Sequence, residues 1–213
     1  FRTMQDFTIS RKIPDDFMME KYQNFTHYEF MRHCIHAETL GLERKFTWCR
    51  VFRRYLIRQH IRYQIKWRYA NYLHVKGGKW SKKIAHWLNE RISEQHNVEI
   101  GLGAVIGPGL RIAHHNGIVI THIVRAGDNL TIRQNTTIGT TTHCDGLIVN
   151  GDNVAIGAHC CIIADNLTIG NNVTIGAHTF LNKDLAEGVT CFTQREYTLI
   201  QAPQPPVNLD NED

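Results

Sequence analysis

The second half of the chain has a hydrophobic pattern with a period of six residues. Aliphatic residues, most of them followed by a small residue, recur in two sets: Ile100, Ile106, Ile112, Ile118, Val124 and Leu130, then Ile138, Ile156, Ile169 and Ile175. An α-helix repeats about every 3.6 residues and a strand about every 2, so neither explains this spacing. Three hexads make roughly one 18-residue turn of a parallel β-helix. We therefore predict a mainly β fold built from hexapeptide repeats.

Corner residues separate the predicted strands. Gly, Asp and Asn cluster in the triplets 127–129, 151–153 and 170–172, and Asn and Asp tolerate the left-handed backbone that tight corners need. The inward phase slips by one residue near 164–166, which indicates a one-residue insertion at a corner. A sandwich of short strands is the alternative, but its strands would not hold one phase over so many turns.

The pattern upstream of the repeat is helical. Phe52, Tyr55, Leu56 and Tyr63 recur at three- and four-residue steps. The Gly77-Gly78 pair should end this helix, and Ser81 is predicted to cap the next one. We expect a helical region over residues 1–97, a β-helix over 98–190, and an irregular or disordered extension over 191–213.

Charge is distributed unevenly along the chain. The net charge is +4, yet residues 43–91 hold 14 Lys and Arg against two acidic residues, together with all four Trp. Three interpretations stay open for this basic aromatic segment. It is a solvated face packed on the β-helix or a neighbouring chain, an interfacial helix on an anionic membrane, or a docking face for an anionic ligand. No nucleic-acid motif accompanies it, so we predict no nucleic-acid partner.

The composition also bears on compartment and metal binding. No apolar run reaches the ~18 residues of a membrane span, and residues 1–10 lack the apolar core of a secretory signal. The six cysteines show no zinc-like CxxC spacing. We therefore expect a cytoplasmic protein with reduced thiols and no metal site, with contact at the inner face of the membrane through the basic helix left open.

The start of the repeat carries a specific motif. It consists of Val98-Glu99-Ile100, Ile106-Gly107-Pro108-Gly109, and His114 followed after two residues by Gly117-Ile118-Val119. This combination resembles the serine acetyltransferase branch of the hexapeptide-repeat acyltransferases, and the resemblance covers roughly residues 60–190. It implies a left-handed β-helix, a homotrimer with active sites between neighbouring chains, and acetyl transfer from acetyl-CoA to a hydroxyl. A dimer of trimers through the N-terminal helices is a further arrangement left open.

The resemblance implies that His114 is the general base and that Glu99 orients it. Attack by a hydroxyl needs a base poised near neutrality, which suits a neutral His. A carboxylate on the other ring nitrogen would set the tautomer and stabilise the imidazolium. Glu99 and His114 are fifteen positions apart, so they can lie on adjacent turns near one edge. His115 is the chief rival for the role of base.

The resemblance also implies where acetyl-CoA binds. Small residues on successive turns would accommodate the pantetheine, and a lysine would lie near the nucleotide phosphates. The matching positions are Gly139, Thr140, Gly157, Ala158, Ala177 and Lys183.

Several positions depart from the family pattern and bear on the acceptor. Ala113 stands where the family has Asp before the catalytic His, and the loop over residues 140–146 lacks the family's arginine. The candidate acceptor-binding residues are His143, Asp145, His115 and Asn116. Without an amino-acid clamp, we predict a sugar hydroxyl acceptor on a polysaccharide or its precursor. The alternatives are an L-serine O-acetyltransferase and a non-catalytic trimeric scaffold.

Overall fold

The computed structural model describes residues 20–141, 146–194 and 196. Its N-terminal part is helical and contains α1 (His27–Thr39), α2 (Trp48–Ile57), α3 (Arg62–Lys76) and α4 (Lys79–His96). Short 3₁₀ turns over Glu20–Tyr22 and Gln59–Ile61 precede α1 and α3. Of the predicted extension over 191–213, residues 195 and 197–213 lie outside the described residues.

In the described ranges, fourteen short strands follow the helices. They are β1 (Val98–Ile100), β2 (Val105–Ile106), β3 (Arg111–Ile112), β4 (Ile118–Ile120), β5 (Val124–Ala126), β6 (Thr131–Ile132), β7 (Thr137–Gly139), β8 (Leu147–Asn150), β9 (Ala155–Ile156), β10 (Cys161–Ile163), β11 (Asn166–Ile169), β12 (Thr174–Ile175), β13 (Phe180–Leu181) and β14 (Thr190–Cys191).

The strands form three parallel sheets that are the sides of one prism. Sheet A has the order β1-β4-β7-β10-β13, sheet B the order β2-β5-β8-β11, and sheet C the order β3-β6-β9-β12-β14. Each strand pairs with the strand one turn further along the chain. The result is a parallel β-helix of about four turns, consistent with the left-handed form. The predicted fold class is confirmed.

The hexad pattern forms because each strand turns apolar side chains into the prism. The inward file Val124, Leu130, Val154 and Cys160 is buried. After the corner at 164–165, which joins β10 to β11, the file resumes one residue out of phase, with Leu167 and Val173 also buried. The insertion at the corner therefore shifts the phase of the inward-facing positions by one residue, while the apolar core of the prism stays continuous.

Asparagines build one corner of the prism. Asn129, Asn153 and Asn172 all adopt a left-handed backbone, with φ of 60°, 56° and 56°. Their side chains form a ladder in which Asn129 Nδ2 donates to Asn153 Oδ1 at 2.9 Å and Asn153 Nδ2 donates to Asn172 Oδ1 at 3.0 Å. Asn suits this position because it tolerates the backbone and bonds to its own neighbour.

The helices differ from the sequence prediction at two points. The helical pattern is interrupted at Arg58, which has an extended backbone, so α2 and α3 are separate helices. α4 begins at Lys79 after an N-cap at Gly78, and not at Ser81. The Ser81 hydroxyl instead donates to the Leu73 carbonyl oxygen at 2.6 Å. Ser81 thus ties α4 to α3 and does not cap a helix.

A buried ion pair fixes the helices to the first turn of the β-helix. Arg68 on α3 and Glu38 on α1 are 3% and 2% exposed at their side chains and bond to each other. Arg68 Nη2 also donates to the Gly107 carbonyl oxygen at 2.8 Å, and Glu38 accepts from the Leu110 amide at 3.2 Å. The first turn, where the predicted site begins, is therefore held by the helices. No helix within the described ranges is long and apolar enough to cross a membrane.

Candidate active site

His114 lies on the corner where the chain passes from sheet C to sheet A, and its side chain is exposed. The amides of Asn135, His159 and His178 donate to the carbonyl oxygens of Asn116, Gln134 and Ala158, so Asn116, Gln134, Ala158 and Ala177 lie above one another on successive turns. His114 lies two residues before Asn116 on the first of these turns. We call this edge of the prism the His114 corner.

Glu99 lies on the neighbouring turn, in the middle of β1. Its side chain is exposed, and it is in register with Val119 on β4, the strand that His114 leads into. Asn97 holds the two turns together, since its carbonyl accepts from the Gly117 amide at 2.9 Å and its Nδ2 donates to Asn116 Oδ1 at 2.6 Å. Glu99 and His114 therefore begin adjacent turns at the same edge of sheet A. Their side chains make no direct hydrogen bond within the described structure, so the orienting role of Glu99 stays a prediction.

His115 occupies a different environment from its neighbour. Its ring lies 5.9 Å from the ring of Tyr63 on α3 and 5.8 Å from that of His96 on α4, measured between centroids. Burial, with the nearby charges of His96, His60 and His114, lowers its pKa to about 4. His115 is therefore neutral at pH 7 and faces the helices. This position favours His114 as the base, and it makes His115 a packing residue more readily than the acceptor contact predicted for it.

Tyr63 links this cluster to Glu99. The phenol is fully buried, and burial raises its pKa, with the Glu99 carboxylate adding to the rise. Trp67, one turn further along α3, donates from Nε1 to the Ile100 carbonyl oxygen at 3.1 Å. The helices thus pack against the first turn of the β-helix next to Glu99 and His115. The sequence does not reveal Tyr63 and His96 as neighbours of the site, because helical spacing shows which face of a helix is buried and not what that face packs against.

The predicted acetyl-CoA residues lie along both edges of sheet A. Gly157, Ala158 and Ala177 are on the His114 corner. Gly139 ends β7, Thr140 follows it, and Lys183 follows β13, at the opposite edge. A Cβ on Gly157 would come within 2.6 Å of the Ala177 amide nitrogen, so the close approach of successive turns requires glycine there. The outward face of sheet A lies between these two edges, and the binding roles stay predictions.

The structure describes two of the four candidate acceptor-binding residues, His115 and Asn116. Asn116 is at the His114 corner and bonds to Asn97. His143 and Asp145 lie outside the described residues. Across the described ranges no cluster of three or more His, Cys, Asp or Glu side chains is arranged to hold a metal ion.

The three-sided prism and its exposed corner histidine define a parallel β-helix of the hexapeptide-repeat type. No family model matches the chain. It is 38% identical over 84 residues to the chloroplastic serine acetyltransferase 1 of Arabidopsis thaliana, an alignment covering 38% of this chain and 27% of that protein. It is 33% identical over 92 residues to probable serine acetyltransferase 5 of Oryza sativa subsp. japonica, covering 42% and 27%.

Solved structures agree with the sequence comparison. Serine acetyltransferase isoform 3 of Entamoeba histolytica, in complex with cysteine, matches with a TM-score of 0.66 and 25% identity over 85% of this chain and 63% of that chain. The Neisseria gonorrhoeae serine acetyltransferase, in complex with serine, matches with a TM-score of 0.62 and 26% identity over 75% and 65%. The predicted resemblance to the serine acetyltransferase-like branch of the hexapeptide-repeat acyltransferases is confirmed. The alignments span about a quarter of the curated relatives' length.

These matches correct the prediction about the acceptor. A sugar hydroxyl on a polysaccharide or its precursor was the main expectation, and it is wrong, because the matching relatives and structures are serine acetyltransferases. The absence of the loop arginine removes one way of binding an amino acid and not every way. The predicted contact with a membrane finds no support in the comparisons, and the cytoplasmic location stays a prediction.

Proposed function

We propose that this protein transfers the acetyl group of acetyl-CoA to the hydroxyl of L-serine. One observation carries the proposal. The chain matches serine acetyltransferases in sequence and in fold, and within this fold His114 is an exposed histidine one turn from an exposed carboxylate, Glu99. The products are O-acetyl-L-serine and free CoA.

His114 moves the proton in this reaction. Neutral His114 takes the proton of the serine hydroxyl while that oxygen forms a bond to the thioester carbonyl carbon. The tetrahedral intermediate then breaks its carbon–sulfur bond, and the CoA sulfur leaves with the proton that His114 held. The imidazolium exists only between these two steps. Glu99, on the adjacent turn, favours that charge.

Acetyl-CoA lies along sheet A in this proposal. The outward file of sheet A runs from Glu99 through Val119, Thr137 and Cys161 to Phe180, all in register. Val119 and Phe180 are exposed apolar side chains on this face. A second chain packed against the face would cover them and enclose the thioester, so the proposal includes a homotrimer with three such clefts. The predicted dimer of trimers through the helices stays open.

A panel of acceptors tests the function. The purified protein is incubated with acetyl-CoA and either L-serine, glucose, N-acetylglucosamine or no acceptor, and the released thiol is followed with a disulfide reagent. We expect release that depends on L-serine and a product with the mass of O-acetylserine. Release with a sugar but not with serine would contradict the proposal. Failure of every acceptor on a wider panel to cause release would favour the non-catalytic scaffold.

A further inference from the structure

Arg133 lies directly beside the His114 corner. It follows β6, and the pairing of β3 with β6 puts Ile112 opposite Ile132, so Ala113 and Arg133 are neighbours on adjacent turns. The Ala113 amide donates to the Ile132 carbonyl oxygen at 2.9 Å, which confirms this register at the corner. Adjacent strands are about 4.8 Å apart. The base of the Arg133 side chain is therefore one strand spacing from the residue that precedes His114.

The neighbours of Arg133 leave its guanidinium room. On the next turn the Arg133 amide donates to the Ile156 carbonyl oxygen at 3.2 Å, which places Gly157 beside it. Arg133 is thus flanked by an alanine on one turn and a glycine on the other. Its side chain is exposed, so the guanidinium can lie across the corner toward either turn.

The described part of the chain provides Arg133 with no counter-charge. Among the described residues no carboxylate forms an ion pair with it, and its corner neighbours Ala113, Gln134 and Gly157 are uncharged. By contrast, the exposed Arg91 on α4 has a counter-charge, because its Nη1 lies 3.8 Å from Glu94 Oε2. An exposed guanidinium beside the proposed base, with small uncharged neighbours, is arranged to receive an anion.

The acceptor in the proposed reaction carries such an anion. The carboxylate of L-serine is two carbons from the carbon that bears the hydroxyl, so a group that holds it must lie close to the base. A guanidinium matches a carboxylate with two parallel hydrogen bonds. The loop over residues 140–146 contains no arginine to supply them.

We propose that Arg133 binds the carboxylate of the acceptor amino acid and makes the site specific for amino-acid hydroxyls over neutral alcohols. This inference rests on the proposed function. In the bound state the Arg133 guanidinium holds the carboxylate from the neighbouring turn, and the serine hydroxyl lies at His114. The small side chain of Ala113 leaves space for the amino acid between Arg133 and His114, which a larger side chain would fill.

The test compares Arg133→Gln and Arg133→Lys with a matched control, Arg91→Gln, which removes the same charge from an exposed position on α4. The acceptors are L-serine and L-serinamide, which keeps the hydroxyl and the amine but lacks the carboxylate. Arg133→Gln should raise KM for L-serine roughly 10–100-fold, the range for a lost charged hydrogen bond. Its kcat, its KM for acetyl-CoA and its kinetics with L-serinamide should change little. The KM of Arg133→Lys for L-serine should lie between those of the wild type and Arg133→Gln. The KM of Arg91→Gln should match that of the wild type.

Three outcomes would overturn the inference. The first is an unchanged preference for L-serine over L-serinamide in Arg133→Gln. The second is an equal loss with both acceptors, which indicates a structural role. The third is a raised KM for acetyl-CoA alone, which assigns the guanidinium to a CoA phosphate. If the wild type does not turn over serine, the proposed function fails by itself. Calorimetric binding of L-serine to the wild type and Arg133→Gln then decides whether Arg133 holds the carboxylate.

Discussion

Adjacent histidines at the corner differ in environment, although the sequence shows them as a pair. His114 is exposed, whereas the ring of His115 packs against Tyr63 and His96. One residue faces the proposed substrate and the other anchors the corner to the helices. The difference arises because successive residues at a corner turn to opposite sides, one toward solvent and one toward α3 and α4.

The half-buried His115 should make the protein less stable in mild acid. Its folded pKa of about 4 lies below the ordinary value of 6.5, so between these values the unfolded chain binds a proton that the folded chain does not. The free energy of unfolding therefore falls as pH drops from 7 to 5. We expect about 1 kcal/mol from His115 after allowing for its partial exposure. Urea unfolding at pH 5, 6 and 7 measures it.

The control is a variant in which this group cannot titrate. His115→Gln should show a weaker fall in stability between pH 7 and 5 than the wild type does. Burial also lowers the pKa values of His33, His74 and His96, so these residues would contribute to the remaining slope. Equal slopes in His115→Gln and the wild type would contradict the assignment.

At the scale of elements, the helices are held to the β-helix by charge as well as by apolar packing. Glu38→Gln would leave Arg68 charged and buried without its partner, while Arg68 keeps only the carbonyl oxygens of Ile106 and Gly107. Removing one member of a buried pair costs about 3–5 kcal/mol. We expect a loss of this size in the free energy of unfolding, measured by urea denaturation at pH 7.

A double variant separates this effect from loss of packing. Glu38→Leu with Arg68→Met removes both charges and keeps apolar volume, so it should recover much of the stability lost in Glu38→Gln. If Glu38→Gln is as stable as the wild type, the ion pair does not fix the helices to the first turn.

The elements differ in how far the sequence could predict them. The strands follow from a pattern that each hexad repeats locally, so even the phase shift at 164–165 was visible. The end of α3 at the Gly77-Gly78 pair was predictable from the two glycines, whereas the break at Arg58 was not, because the helical pattern continues across it. Ser81 has the residue type of a cap, but its hydroxyl bonds to Leu73 of the preceding helix.

At the scale of the whole molecule, the site is harder to predict than the fold. Glu99 and His114 come from one stretch of repeat, so the period of the prism places them on adjacent turns. Tyr63 and His96 reach the same place from separate helices, and no pattern in the repeat signals them. The acceptor was mispredicted for a related reason. A single cation is enough to bind a carboxylate. The cation that we propose, Arg133, lies beside the corner because β3 pairs with β6, and a comparison of motifs does not show that pairing.

The central claim is that His114 is the base for acetylation of L-serine, and its removal tests this most directly. We expect His114→Ala to lower kcat for CoA release with saturating L-serine by about 10²–10⁴-fold, with an unchanged oligomeric mass. His115→Ala should retain far more activity once it is assayed at a temperature where it is folded. Wild-type kcat in His114→Ala, or loss of turnover in His115→Ala alone, would contradict the account.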